Sequence, residues 1–447
     1  MKGSEPAKPV RRRASPEGLP ARRLAAHLVS GVLRQRRPLE HVLADVARQP
    51  DLWLLPPRDR ALARLVAATV LRRQGELEHV LNAFIERKLP QNQGQLWPIL
   101  LCAAAQLLCL ELPAHAVVDL AVELVRRDKG AHRFAKFTNA VLRRVSTEGA
   151  RLLGAEDGLK LNIPGWLWQR WSETYGPETA RRIAAASLSE APLDLSFKPG
   201  ANLHAWADRL GGQPLPTGSI RLAASGRIEE LPGYSEGAWW VQDAAAALVV
   251  RLAGDVAGIA VADLCAAPGG KTAQLAAQGA AVTAVDVSQH RLERVRANLD
   301  RLQLSANLVT ADVATWTPGT TFDVVVLDAP CTATGTIRRH PDILRLKASD
   351  DIARMARLQA SLITNAARLV NPEGLLIYST CSLEPQEGPE QIADFLAAHP
   401  TFQHAPVTGE AFGIPAECLT PAGELRTLPF HAGGMDGFYV ARLRRGA

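Results

Sequence analysis

Between Ala21 and Val145 the apolar positions return every three to four residues, as in Leu62, Leu65, Val66, Thr69 and Val70 and again in Leu120, Val122, Leu124 and Val125. That spacing lays apolar side chains along one face of a helix and predicts an all-α segment over 21–148. Prolines punctuate it at Pro56-Pro57, Pro90 and Pro113. Each interrupts the backbone ladder and restricts the residue before it, so about five or six helices are expected. Over 149–237 the pattern shortens into mixed segments broken by Pro and Gly, which predicts a small α/β connecting subdomain. Trp166, Trp168 and Trp171 recur there at helical spacing and are expected to pack against a core.

From 238 to 447 apolar runs of strand length alternate with helical patterns. Strands are predicted at Ala260–Leu264, Ala281–Val285, Asn307–Thr310, Phe322–Leu327, Leu375–Ser379 and Gly437–Leu443, with a helix after Gly270 and a long one over Gln289–Leu302. This grammar implies a mainly parallel, doubly wound sheet, in which ligands bind beyond the carboxyl ends of the strands. The loop Asp263–Thr272, then Asp286, Asp312, Asp328-Ala329-Pro330-Cys331 and Thr380-Cys381-Ser382 all fall at those ends. One pocket is expected to collect them.

Composition narrows the class. A chain of 447 residues, 47% of them hydrophobic, exceeds the usual single domain. Its longest apolar stretch, Ile99–Leu110, contains Gln106 and falls short of the roughly 20 residues of a membrane span. The first 20 residues carry Arg11-Arg12-Arg13 and read as a basic tail with no secretory apolar region behind it, so a cytoplasmic protein is expected. Six irregularly spaced cysteines are expected to be reduced thiols, and no Cys-x-x-Cys or Cys/His pair points to a metal. A net charge of +6 and a pI near 9.1 favour a polyanionic partner.

The glycine loop matches neither dinucleotide nor P-loop spacing around Pro268-Gly269-Gly270-Lys271-Thr272. Four carboxylates at successive strand ends, Asp263, Asp286, Asp312 and Asp328, suit a ligand bearing ammonium and sulfonium charge, such as S-adenosyl-L-methionine, better than a triphosphate. Asp286 is placed to take ribose hydroxyls and Asp312 the adenine amino group. An aspartate after a strand also serves simply as a turn or cap residue.

Cys331 and Cys381 suggest covalent attack on a pyrimidine. C5 of cytosine is a poor nucleophile until a thiolate adds at C6. The attacking thiol needs a lowered pKa, from Lys271 or a helix terminus, and Asp328 is placed to hydrogen-bond the cytosine ring nitrogen or amino group. Spacing alone allows either cysteine to attack. Arg338, Arg339 and His340 are candidates to hold phosphates around the flipped base.

Together, the Asp263–Thr272 loop, Asp328-Ala329-Pro330-Cys331 and Thr380-Cys381-Ser382 resemble the RNA 5-methylcytosine methyltransferase family. Arg58-Asp59-Arg60-Ala61, Pro113–Asp119 and Phe137–Arg144 are similar to the NusB-like helical domain of its RsmB branch, whose members methylate small-subunit ribosomal RNA, as is Thr334–Asp342 to the segment after the Pro-Cys motif. The resemblance implies a multidomain chain. A NusB-like RNA-binding domain over 21–148 and the connecting subdomain over 149–237 would precede an α/β Rossmann-like class I methyltransferase domain over 238–447. It implies that Cys381 attacks and Cys331 promotes release, with Asp328 and Lys271 beside them. Cys265, Ala266, Ala267, Pro268, Gly269, Gly270, Lys271, Asp286, Asp312 and Asp328 would bind S-adenosyl-L-methionine. The implied partner is an unstacked cytosine of 16S ribosomal RNA, bound by a monomer without metal or membrane. A transfer RNA methyltransferase and a non-catalytic RNA-binding assembly factor are the alternatives. Thr332 stands where the family has serine, and Pro385–Glu390 and Ser196-Phe197-Lys198 also depart from its pattern.

Overall fold

The computed structural model describes residues 16–46, 48, 55–153, 157–223 and 226–447; the Arg11-Arg12-Arg13 triplet lies outside them. The chain divides into two units, one running to Pro164 and including Leu344–Leu346, the other formed by Gly165–Ile343 and Lys347–Ala447.

The first unit is helical, with Leu19–Leu33, Leu39–Val46, Pro57–Arg72, Gln74–Ala83, Leu96–Leu108, Ala114–Arg127 and Ala135–Leu153 as its main elements. Pro57 opens one helix and Pro113 precedes another, positions where a missing N–H leaves no bond unmade. The core is built from Leu24, Leu28, Val66, Leu71, Leu77, Leu81, Leu100 and Leu101. In Pro57–Arg72 the buried face is Ala63, Val66, Ala67 and Val70, and Leu65 is exposed. Of the face expected to be apolar, Val66, Thr69 and Val70 are buried and Leu62 packs against the core, and only Leu65 lies outside it. Leu96–Leu108 is the buried helix expected of the longest apolar stretch, with the buried Gln106 Nε2 donating to Cys102 O at 2.8 Å. No described helix is long and apolar enough to cross a membrane. The junction expected after residue 148 falls inside the helix Ala135–Leu153.

The second unit begins with helices Gly165–Tyr175 and Pro177–Ser187 and a four-stranded antiparallel sheet. Its strands are β1 (Leu193–Phe197), β2 (Gln213–Pro214), β3 (Ile220–Leu222) and β4 (Trp239–Val241), in the order β2-β3-β1-β4. Trp171 is fully buried, whereas Trp166 and Trp168 are half-buried. β4 pairs with β1 and so completes this sheet after the junction expected at 237.

The larger sheet contains β5 (Ala260–Leu264), β6 (Ala281–Asp286), β7 (Asn307–Thr310), β8 (Phe322–Asp328), β9 (Val370–Thr380), β10 (Phe402–His404), β11 (Leu425–Arg426) and β12 (Tyr439–Arg445). The order is β10-β12-β9-β8-β5-β6-β7, with β11 pairing β12. β5 to β9 are parallel, and β12 and β10 run antiparallel at one side. The parallel strands are covered on both faces, which is why they read as continuous apolar runs such as Val324–Leu327. The chain winds from β5 outward through β6 and β7 and returns to β8 on the other side of β5. That reversal is the switch point at which such sheets open a crevice.

Candidate active site

The loop after β5 turns on two positive-φ residues, Cys265 (59°) and Gly269 (99°). A Cβ on Gly269 would lie 2.9 Å from Val295 Cγ1, so glycine is required both for φ and for contact with the Gln289–Leu302 helix. The next helix starts at Gly270. Its first turn carries Lys271, whose Nζ donates to Asp328 Oδ2 at 2.7 Å, while Ser379 Oγ donates to Asp328 Oδ1 at 3.0 Å. Burial works against the Lys271 ammonium, but the Asp328 charge and hydrogen bond outweigh it and hold its pKa above the ordinary value. Lys271 thus stays cationic, 5.4 Å from the centre of the Phe438 ring.

Cys331 and Cys381 meet beyond β8 and β9 with their Sγ atoms 3.4 Å apart. The Cys381 thiol is held well above its usual pKa, first by the hydrogen bond with Cys331, then by burial and by the Asp328 and Asp436 charges. The lowering expected from Lys271 is therefore not met: Asp328 is ion-paired with that ammonium, and the causes that act on Cys381 all raise its pKa.

Glu387, which sequence reasoning passed over, holds both thiol-bearing segments. Its fully buried carboxylate accepts from Thr332 N at 2.8 Å, Ser382 Oγ at 2.5 Å, Gln359 Nε2 at 3.1 Å and the Thr332 hydroxyl. Thr332 follows Cys331 and Ser382 follows Cys381, so one side chain fixes the separation of the two sulfurs. Burial raises the Glu387 pKa against these hydrogen bonds. Its place in a Pro-rich run gave no apolar periodicity to mark it as buried. Glu387→Ala removes the shared acceptor of four donors, of which Gln359 Nε2 keeps Pro330 O, and is expected to cost about 2–4 kcal/mol of stability. A single-turnover rate at least tenfold lower should accompany a depressed melting temperature. Wild-type values of both would show that the carboxylate does not set the thiol geometry.

The predicted cofactor residues divide in two. Asp263 is fully buried; Oδ2 accepts from Thr272 Oγ1 at 2.5 Å and Oδ1 has no hydrogen-bond partner. Burial pushes its pKa up to about 7. A cavity of about 530 Å³ has Asp263, Ala266, Pro268, Gly269, Gly270, Lys271 and Asp328 in its wall. Asp286 and Asp312 do not line it, nor do Cys265, Ala267, Cys331 or Cys381, so the structure does not gather the motif residues into one cavity. Asp286 is buried and accepts from Ala267 N at 3.2 Å, Ser288 N at 3.0 Å and Arg291 Nη1 at 3.3 Å. Asp312 is exposed and accepts from Ala314 N at 2.9 Å, the local turn role of an aspartate after a strand.

The arginines expected to grip phosphate are already engaged. Arg338 is buried and donates through Nε to Asp436 Oδ1 at 2.7 Å and through Nη2 to Asp243. Arg339 donates to the same two carboxylates, at 3.2 Å to Asp436 and 2.5 Å to Asp243. Two guanidinium and two carboxylate groups neutralise one another, which removes these arginines as a phosphate clamp. No cluster of metal-ligating side chains is found among the described residues.

A parallel sheet with a glycine-turned loop at its switch point and an acidic crevice beyond it is the architecture of a Rossmann-like methyltransferase. Two family models match the chain: 16S rRNA methyltransferase RsmB/F over residues 255–444 and the NusB family over 19–147. Ribosomal RNA small subunit methyltransferase B of Vibrio cholerae is 36% identical over 87% of this chain and 90% of its own length. The protein of that name from Xylella fastidiosa is 36% identical over 94% of this chain and 99% of its own. In three dimensions the crystal structure of PH0851 has the same fold, with a TM-score of 0.77 at 21% identity, covering 97% of this chain and all of that one. A methyltransferase homologue from Pyrococcus horikoshii gives 0.52 at 27% identity over 65% of this chain and 96% of its own. The chain belongs to the RsmB/F family of 16S rRNA methyltransferases, with a NusB domain at its N-terminal end.

Proposed function

We propose that this protein transfers a methyl group from S-adenosyl-L-methionine to C5 of a cytosine in 16S ribosomal RNA, through a covalent bond between Cys381 and C6. The observation that carries the reading is the pair of thiols 3.4 Å apart beside the Lys271–Asp328 ion pair.

The residues present fit the cofactor. A buried carboxylate oxygen without a partner among the described residues, Asp263 Oδ1, matches an ammonium group, and Gly269 and Gly270 on the cavity wall carry no side chain to block close approach. Asp286 and Asp312 would take the ribose and adenine. When bound, the cofactor supplies an electrophilic methyl group on sulfonium.

Cys381 adds to C6 as the thiolate, and the electron pair of the C5–C6 double bond moves to C5, delocalised through C4 toward N3. Asp328, held in place by Lys271 and Ser379, accepts from the N4 amino group and favours cytosine over uracil, which presents a carbonyl oxygen at that position. C5 then takes the methyl group. A base takes the C5 proton, the C5–C6 double bond re-forms and the S–C6 electron pair leaves with the Cys381 sulfur; Cys331 would assist that elimination.

Incubation with methyl-labelled cofactor and separated RNA pools tests the assignment. Label in small-subunit RNA, released as 5-methylcytidine on digestion, is expected. Label confined to transfer RNA overturns the substrate, and label in no RNA restores a purely RNA-binding role.

A further inference from the structure

The cavity that reaches Lys271 and Asp328 does not continue toward Asp286 and Asp312. It extends instead past Trp240 and Gln242 to Tyr234, Asn298 and Arg301. Its far end is therefore built from the segment that enters β4 and from the end of the Gln289–Leu302 helix, away from the acids suited to adenosine.

The basic groups on this wall differ in what neutralises them. Lys271 is paired with Asp328, and Arg339 with Asp243 and Asp436. Arg301 has no carboxylate partner among the described residues. It is held by neutral groups: Nη1 donates to Tyr234 O at 2.9 Å and Trp239 O at 3.1 Å, and the guanidinium carbon lies 4.3 Å from the centre of the Tyr234 ring. Its Nε is a buried donor without a partner. A fixed, half-buried guanidinium with no carboxylate partner among the described residues, on the wall of this cavity, calls for an anion.

We propose that Arg301, supported by Tyr234, holds a phosphodiester of the RNA strand flanking the target cytosine, so that this end of the cavity is a subsite for the neighbouring nucleotide. The inference rests on the RNA reading of the site. A strand leaving a flipped base must carry its next phosphate out of the pocket, and the two arginines nearest Cys331 in sequence are consumed by Asp243 and Asp436. Arg301 supplies the charge that they do not. The other anion available to this cavity is the cofactor's own carboxylate, and the test separates the two.

The full-length protein, its Arg301→Gln variant and its Arg301→Lys variant are compared for binding of a small-subunit RNA transcript across a range of salt, and for cofactor binding by calorimetry. Arg301→Gln is expected to weaken RNA binding roughly tenfold and to reduce the slope of log K against log salt by about 0.7, the release of one counterion from a single strand. Cofactor affinity should be unchanged, and Arg301→Lys should recover the slope because it keeps the charge. An unaltered salt slope overturns the inference, since loss of the carbonyl anchoring alone does not change the number of counterions released. Weaker cofactor binding with unaltered RNA binding assigns Arg301 to the cofactor carboxylate instead. Failure of the wild-type protein to bind or methylate any RNA overturns the RNA reading itself, and this subsite with it.

Discussion

Replacing Cys381 by alanine is expected to abolish methyl transfer, lowering the single-turnover rate by about 10⁴-fold or more, as loss of a covalent nucleophile does. C5 of cytosine gains nucleophilic character only after a thiolate adds at C6. Cys331 lies 3.4 Å away at the end of a different strand, and its role in the reading is release rather than attack. The same thiol predicts the pH dependence. Cys331, burial and the neighbouring carboxylates raise the Cys381 pKa, so the reactive thiolate is the minor form at neutral pH. The single-turnover rate should therefore rise with pH through the neutral range, by up to about tenfold per unit. A Cys381→Ala protein within tenfold of wild type would remove the covalent mechanism, and a flat pH profile would place the rate-limiting step elsewhere.

Asp263→Asn is expected to weaken S-adenosyl-L-methionine binding by about 10²-fold or more while making the cofactor-free protein more stable at pH 8. Burial raises the Asp263 pKa to about 7 from 3.8. The folded protein therefore retains a proton that the unfolded chain loses from pH 3.8 upward, and stability falls as pH rises through the window from 3.8 to 7. Above it the full cost of the buried charge is present, on the order of 4 kcal/mol at most. Asparagine keeps an acceptor for Thr272 and removes that charge. Melting temperatures should thus coincide near pH 4, separate progressively between about pH 4 and 7 in favour of the variant, and keep the full difference above neutrality. Binding of the cofactor to the wild-type protein near pH 7 should release a proton, read as a buffer-dependent enthalpy in calorimetry. Equal melting temperatures at pH 8 would show that the carboxylate is not strained in the free protein. Unchanged cofactor affinity would remove Asp263 as the ammonium site.

The parallel strands were legible because burial on both faces writes itself as an apolar run, and Gln289–Leu302 spans the residues its periodicity predicts. Strand starts were less so: β9 begins at Val370, before Asn371, Pro372, Glu373 and Gly374, which read as a turn in one dimension. Side-chain fates at the site depended on partners distant in sequence. Arg338 looks like a phosphate ligand until Asp243 and Asp436, 95 and 98 positions away, are brought to it. Glu387 looks like a surface acid in a Pro-rich loop until Thr332 and Ser382 close on it. The thiols themselves were evident as a pair, but their separation and the raised proton affinity of Cys381 follow from packing. Spacing alone left open which of them attacks, and the family resemblance supplied the order.

That order is tested most directly by a Cys331→Ala protein incubated with cofactor and small-subunit RNA, digested with protease and nuclease, and analysed by mass spectrometry. The expected result is an accumulated RNA adduct that survives denaturation, with a methylated cytidine attached to the peptide containing Cys381. An adduct that forms instead in Cys381→Ala, attached through Cys331, would reverse the two roles and contradict the account.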